Sequence, residues 1–179
     1  MEKTEQDLDL LDAATSAMRA LTQKLTEMKS AKLARGVTTN DLSKMIEFGA
    51  RSTEPSVRAN IVEIAGLIGL SSVSSGTESQ ATASCVGQFL LESAAKETSL
   101  RVAAEALDKI FDMFAEDETD DLALELGLVP KMKAVMPGFK VKMAQQKKSL
   151  GKEHYPIVQM AKQNLVRFIK YKEKRPKLK

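Results

Sequence analysis

Catalysis by nucleophile or metal needs histidine, cysteine and carboxylates brought together, and this chain of 179 residues holds one histidine and one cysteine. His154 lies in a polar stretch beside Tyr155 and Pro156, and Cys85 falls on an apolar helix face. A His–Cys dyad would have to unite two distant segments. One cysteine allows neither a disulfide framework nor a thiolate metal cluster. No phosphate-cradling glycine loop and no GxSxG turn is present. The residues predict no enzyme, no cofactor and no metal centre.

Charge is the more informative signal. Glu105, Asp108, Asp112 and Glu116 recur at offsets of 3, 7 and 11, which places all four on one face of a single expected helix, opposite its apolar stripe. Like charges at these spacings each cost a helix a few tenths of a kcal/mol. Carboxylates toward a helix C-terminus also oppose its macrodipole. The acidic field continues through Asp117, Glu118, Asp120 and Asp121. These eight residues are the candidate partner-binding set, an acidic groove for a basic protein. The alternative is a solvated face neutralised by the chain's own basic end.

That basic end is pronounced. Residues 1–130 carry 12 Lys and Arg against 22 Asp and Glu, whereas residues 131–179 carry 15 against 2. Lys131, Lys133, Lys140, Lys142, Arg167, Lys170 and Lys172 form the opposite surface. With no Trp, two Tyr and six Phe, stacking on single-stranded bases is not supported. Phosphate contacts through the basic end remain the direct RNA-binding alternative. The closing KEKRPKLK has the composition of a nuclear-localisation string, a weak signal in itself.

The elements that must position these charges are helices. Few aromatics, 9 Gly and abundant Ala, Leu, Lys and Glu favour helix packed on helix. No apolar run approaches ~20 residues, and the opening MEKTEQDLDL is too polar for a secretion signal. A soluble, intracellular, all-α chain with no membrane partner is expected.

Leu8, Leu11, Ala14, Met18, Leu21, Leu25, Met28 and Ala31 predict one N-terminal helix of roughly 30 residues, stopped at Gly36. A short helix with Leu42, Met45, Ile46 and Phe48 follows. Thr53-Glu54-Pro55 then opens another, ending near Leu70. Ser71–Ser79 reads as a loop, and helices resume near Glu78 and Thr98. Later, Leu122–Met136 is mostly helical but interrupted at Pro130 and Pro137-Gly138. Phe139–Met143 is expected as helix, and a last helix carries Ile157 to Ile169.

Sliding the chain by 43 residues sets Glu54 on Glu97, Ser56 on Ser99 and Arg58 on Arg101, with the apolar phase kept throughout. A two-helix unit of that length matches the HEAT/armadillo period of ~40–47. Neither helix pair can bury its stripe alone, so neighbours must stack. The prediction is a HEAT/armadillo-type helical-repeat solenoid with a long N-terminal helix. It forms a single domain over 1–173, with units at about 37–70 and 80–116 and an irregular unit at 119–173, followed by a basic tail at 174–179.

The run GQFLLESAAKETSLRVAAEALDKIFDMFAED, then PGFKVKMAQQKK, then NLVRFIKYKEK resembles the end of the symportin family, that of HEAT-repeat-containing protein 3 and its relatives. The matching segments are Phe89–Glu92, Glu105–Asp117, Phe139–Met143 and Asn164–Tyr171. The resemblance implies a nuclear import adaptor and chaperone for the basic ribosomal proteins of the 5S ribonucleoprotein, acting in ribosome biogenesis and found in cytoplasm and nucleus. It further implies that the chain is the C-terminal HEAT portion, with import-receptor binding left to parts absent from it. A generic HEAT scaffold for another protein is the alternative.

Overall fold

A computed structural model describes residues 5–27, 39–73, 80–146, 149 and 155–174 of the chain. Gly36, the end of the expected first helix at Met28 and Ala31, the segment Ser74–Ser79, His154 and residues 175–179 lie outside the described residues. Among those described there are eight α-helices and no strand, an all-α helical-repeat fold of the solenoid class. Contacts divide the chain into two compact units, Met1–Val86 and Gly87–Lys179.

The first unit is built on α1 (Glu5–Glu27), α2 (Thr39–Ala50) and α3 (Pro55–Val73). Helix α3 starts where Pro55 presets φ and has no N–H to leave unpaired. Ahead of it, the Ser52 hydroxyl accepts the Glu54 N–H at 3.2 Å, and Arg58 reaches back to the carbonyls of Ser52 and Thr53, each at 2.9 Å. Nineteen residues long, α3 is apolar enough to cross a bilayer, but eleven of them are buried, Val57, Ile61, Ile64 and Ile68 among them. Its apolar surface is the core of this unit. It also runs three residues past Leu70. Ser72 is buried and returns its hydroxyl to the Ile68 carbonyl at 2.8 Å, so a serine read as loop is satisfied inside the helix.

Helix α1 packs along α3 through a polar seam. Asn60 donates to the hydroxyls of Thr15 and Ser16, both at 3.1 Å, and Arg19 pairs with Glu63 at 2.9 Å. The stripe expected from the sequence is therefore only partly the packed face. Leu11 is half-buried, while Ala14 and Met18 are exposed. Polar partners on α3 turn α1 toward Thr15 and Arg19.

Helix α4 (Gln80–Lys96) contains the boundary and enters the second unit at Gly87. There a Cβ would stand 2.7 Å from the Leu126 Cδ1 and 3.2 Å from the Phe114 ring, so any larger residue would have to displace the end of the Leu126 side chain. Helix α5 (Leu100–Phe114) is strongly amphipathic and buries Leu100, Val102, Leu107, Ile110, Met113 and Phe114. A 3-10 turn (Asp117–Thr119) leads into α6 (Asp120–Glu125), and then come α7 (Leu128–Gln146) and α8 (Tyr155–Glu173). Helix α8 lies along α5 and α7, burying Val158, Ala161, Leu165, Phe168 and Ile169. Phe168 meets Phe111 edge-on, with ring centroids 6.1 Å apart.

Two expected breaks fall elsewhere. Helix α6 is terminated at Gly127, whose φ of 61° is open to glycine and which donates to the Leu124 carbonyl at 3.0 Å. Pro130 is no interruption, because it occupies the first turn of α7, where N–H groups have no helical acceptor. Pro137 lies inside α7, which continues through it and through Gly138. Both residues are exposed, so the hydrogen bond that proline removes faces water. The amide of Gln146 closes the turn between α4 and α5, accepting from the Leu100 N–H at 3.0 Å and donating to the Thr98 carbonyl at 2.8 Å.

Candidate functional site

Helix α5 carries Glu105, Asp108 and Asp112 on the side away from its core residues. Amphipathic spacing forces that arrangement, since Leu107, Ile110, Met113 and Phe114 claim the opposite face. Lys109 sits among the three acids, with its ammonium 3.3 Å from the Asp112 carboxylate and 3.9 Å from that of Glu105. Only 15% of the Lys109 side chain is exposed. The like-charge penalty read from the stripe is thus offset by a cation lodged among the acids. The signal was present in the sequence, as a lysine four residues after Glu105 and three before Asp112.

Asp108 is half-buried. Burial raises its carboxyl pKa and the neighbouring Asp112 charge adds to the rise, while Lys109 and a hydrogen bond from Asn164 of α8 pull back against both. Burial works against the Lys109 ammonium, but Asp112, Glu105 and Asp108 together outweigh it and hold its pKa above the ordinary lysine value. With the exposed Arg101 four residues before Glu105 on the same stripe, three carboxylates stand against two cations, and this face is net negative by one charge.

The other five acids form a second group. Helix α5 ends at Phe114, so Glu116 is not the fourth member of a helical stripe, as its spacing suggested. Glu116 has an extended backbone (φ −83°, ψ 158°) and precedes the 3-10 turn that holds Asp117 and Glu118. Thr119 is buried and donates its hydroxyl to the Glu116 carbonyl at 2.7 Å. Asp120 and Asp121 then occupy the first turn of α6, where the helix dipole favours negative charge.

The end of α8 closes over this turn. Lys172 pairs with Asp120 and donates to the Glu116 carbonyl at 3.2 Å, with only 5% of its side chain exposed. Its ammonium also lies 5.6 Å from the Phe168 ring centre and 5.9 Å from that of Tyr171. Tyr171 donates its hydroxyl to Asp117 at 3.2 Å. The chain's basic end therefore neutralises part of its own acidic cluster. Lys133 pairs with Glu173, and Lys142 donates to the Ala95 carbonyl at 3.3 Å, so these lysines too are engaged within the unit. Glu118 and Asp121 are exposed, as are Lys140, Arg167 and Lys170. Sequence reasoning missed Asn164 and Lys172 as members of the site, because nothing short of the packing of α8 on α5 brings them there.

Cys85 is half-buried on α4. Among the described residues no three carboxylate, imidazole or thiolate groups converge as metal ligands would.

A family model described as SYO1-like, TPR repeats, matches residues 1–176. HEAT repeat-containing protein 3 of Homo sapiens is 35% identical over 172 residues, covering 93% of this chain and 24% of that protein. The protein of the same name from Mus musculus is 36% identical over 169 residues, covering 92% and 24%. The chain thus spans about a quarter of the length of these relatives. No solved structure matches.

Proposed function

The chain belongs to the symportin family of SYO1-like repeats, a family of helical-repeat, protein-binding domains, and from that premise we propose that it is the cargo-holding segment of a nuclear import adaptor and chaperone. Its cargo in this reading is a basic ribosomal protein of the 5S particle. The segment works as a non-enzymatic scaffold without a cofactor, moves between cytoplasm and nucleus, and leaves the import receptor to other parts of the longer protein. The observation that supports this reading is the α5 face, where Glu105, Asp108 and Asp112 outnumber Lys109 and Arg101. A surface of one net sign attracts oppositely charged partners and speeds their association. Lysine and arginine side chains of a ribosomal protein supply that charge. The same chemistry disfavours direct RNA binding at this face.

The test is a pull-down, at near-physiological salt, of the chain against each basic ribosomal protein of the 5S particle. It is repeated with Glu105, Asp108, Asp112 and Glu116 changed to Gln. Capture by the intact chain and its loss in the quadruple variant, with helicity kept, is the expected result. Capture of naked RNA in preference to these proteins, weakening steeply with salt, would overturn the reading in favour of the basic end.

A further inference from the structure

The second unit carries a groove of about 340 Å³ between α4 and α7 that the acidic face does not use. On α4, Gln88, Leu91, Glu92 and Ala95 line it. On α7 the lining residues are Lys131, Ala134, Val135 and Gly138. Both sets follow i, i+3, i+4, i+7 spacing, so each helix offers one continuous stripe two turns long, ~10 Å from end to end. Leu91 and Val135 are buried and form an apolar floor. Ala95, Ala134 and Gly138 keep the walls low, and a Cβ at Gly138 would meet no atom within 4 Å. On α7 the stripe continues past the groove to Val141, which is exposed.

The charges at the groove set its preference. Lys96 lies on one rim and Lys131 on the other. Lys142, held at the Ala95 carbonyl, extends the positive charge beside the α7 stripe. The single rim carboxylate, Glu92, is already paired with Lys96 at 2.9 Å. Three cations to one anion around an apolar floor is the reverse of the α5 face, and a basic cargo would be repelled here. Amphipathic helices dock into grooves of this form through apolar anchors at i, i+3, i+4 and i+7.

We propose that the α4–α7 groove is a second docking surface, and that it receives about two turns of an acidic-flanked amphipathic helix from a partner protein. The partner's leucine-like side chains seat on Leu91 and Val135, between Ala95, Ala134 and Gly138. Its carboxylates meet Lys96 and Lys131.

The experiment is fluorescence anisotropy of the full chain with a labelled helical peptide bearing Leu at i, i+3, i+4 and i+7 and Glu on both flanks. A twin peptide with Lys in place of Glu is the control. Binding of the Glu peptide at least about tenfold tighter than the Lys peptide is expected. Gly138→Leu fills the groove and weakens that binding by about tenfold or more. Lys131→Glu, a surface change, narrows or reverses the preference, whereas the quadruple Gln variant of the acidic face leaves it unchanged. Equal affinity for both peptides overturns the proposal, as does no measurable binding or binding indifferent to Gly138→Leu and Lys131→Glu. Sedimentation of the chain alone as a dimer that Gly138→Leu dissociates would assign the groove to a second copy and overturn the partner helix.

Discussion

Replacing Gly49 or Gly138 with alanine is the same substitution inside a helix, and it should move stability in opposite directions. Alanine is favoured over glycine in a helix interior by about 1 kcal/mol, because glycine loses more backbone freedom on folding. At Gly138 the new methyl meets nothing within 4 Å, so the gain of about 0.5–1 kcal/mol is realised. For a chain of this size that raises Tm by roughly 1–4 °C. At Gly49 the methyl would stand 2.6 and 2.7 Å from the two γ carbons of Ile61 and 2.9 Å from its β carbon. Ile61 is buried, and its branched side chain has essentially one χ1 rotamer in a helix, so it cannot turn aside. Relief requires α2 to back away from α3, an overpacking cost of about 1–3 kcal/mol. The propensity gain is small in the last turn of α2, so a net loss of about 1–2 kcal/mol is expected. Urea unfolding followed by far-UV circular dichroism measures both variants. Adding Ile61→Ala to Gly49→Ala should recover part of the clash, giving a favourable coupling in a double-mutant cycle. A Gly49→Ala variant as stable as the parent would refute the close approach of α2 and α3.

Lys172→Met removes a largely buried ammonium that pairs with Asp120 and donates to the Glu116 carbonyl and should cost about 1–3 kcal/mol, while Lys170→Met, at an exposed neighbour, should stay within about 0.5 kcal/mol of the parent in the same urea titration. Asp108 has its pKa raised by burial, so the stability linked to its protonation is fully present below the ordinary carboxyl value of 3.8 and is lost as pH rises through the folded value. Asp108→Asn should therefore be stabilising at neutral pH, with the advantage shrinking in acid, as read by thermal melts across that range. Lys109 has its pKa raised as well, so its contribution is full below 10.5 and is lost as pH climbs through the higher folded value. Lys109→Met should remove that alkaline loss from the melting profile. Asn60→Ala deletes two of the hydrogen bonds of the α1–α3 seam, leaving Arg19–Glu63, and should cost about 1–2 kcal/mol, with α1 losing hydrogen-exchange protection before α3.

Helix identity was legible wherever apolar spacing and a local stop signal agreed. Thr53-Glu54-Pro55 marked the start of α3, and the offset of 43 residues paired α2–α3 with α4–α5, because both signals are local and chemical. Pro130 and Pro137 misled because the cost of proline depends on position. The first turn of a helix has N–H groups to spare, and an exposed carbonyl can take water instead. Gly127 was passed over because a left-handed stop is visible only once the backbone has turned. The eight acids were legible as a charge field, and Glu105, Asp108 and Asp112 as a helical face. Their division falls where α5 ends, and the closure of Lys172 and Tyr171 over the later group depends on α8, some fifty residues downstream. No local pattern encodes such pairings. The α1 stripe shows the same limit, since Asn60 and Glu63 on another helix decide which face of α1 is covered.

The two hydrogen bonds of Gln146 make α7 a measured rod. They reach the turn at Thr98 and Leu100 only if the helix delivers Gln146 at one angle and one height. Each residue inserted or removed upstream within α7 rotates everything after it by about 100° and shifts it by about 1.5 Å. A single-residue change between Lys142 and Gln146 therefore swings the amide off the turn and strands the first N–H of α5. The same change placed after Gln146 leaves that joint untouched. The length of α7 is thus constrained by hydrogen bonding at its far end as well as by its core, and length variation among functional versions of this chain should collect after Gln146, not before it.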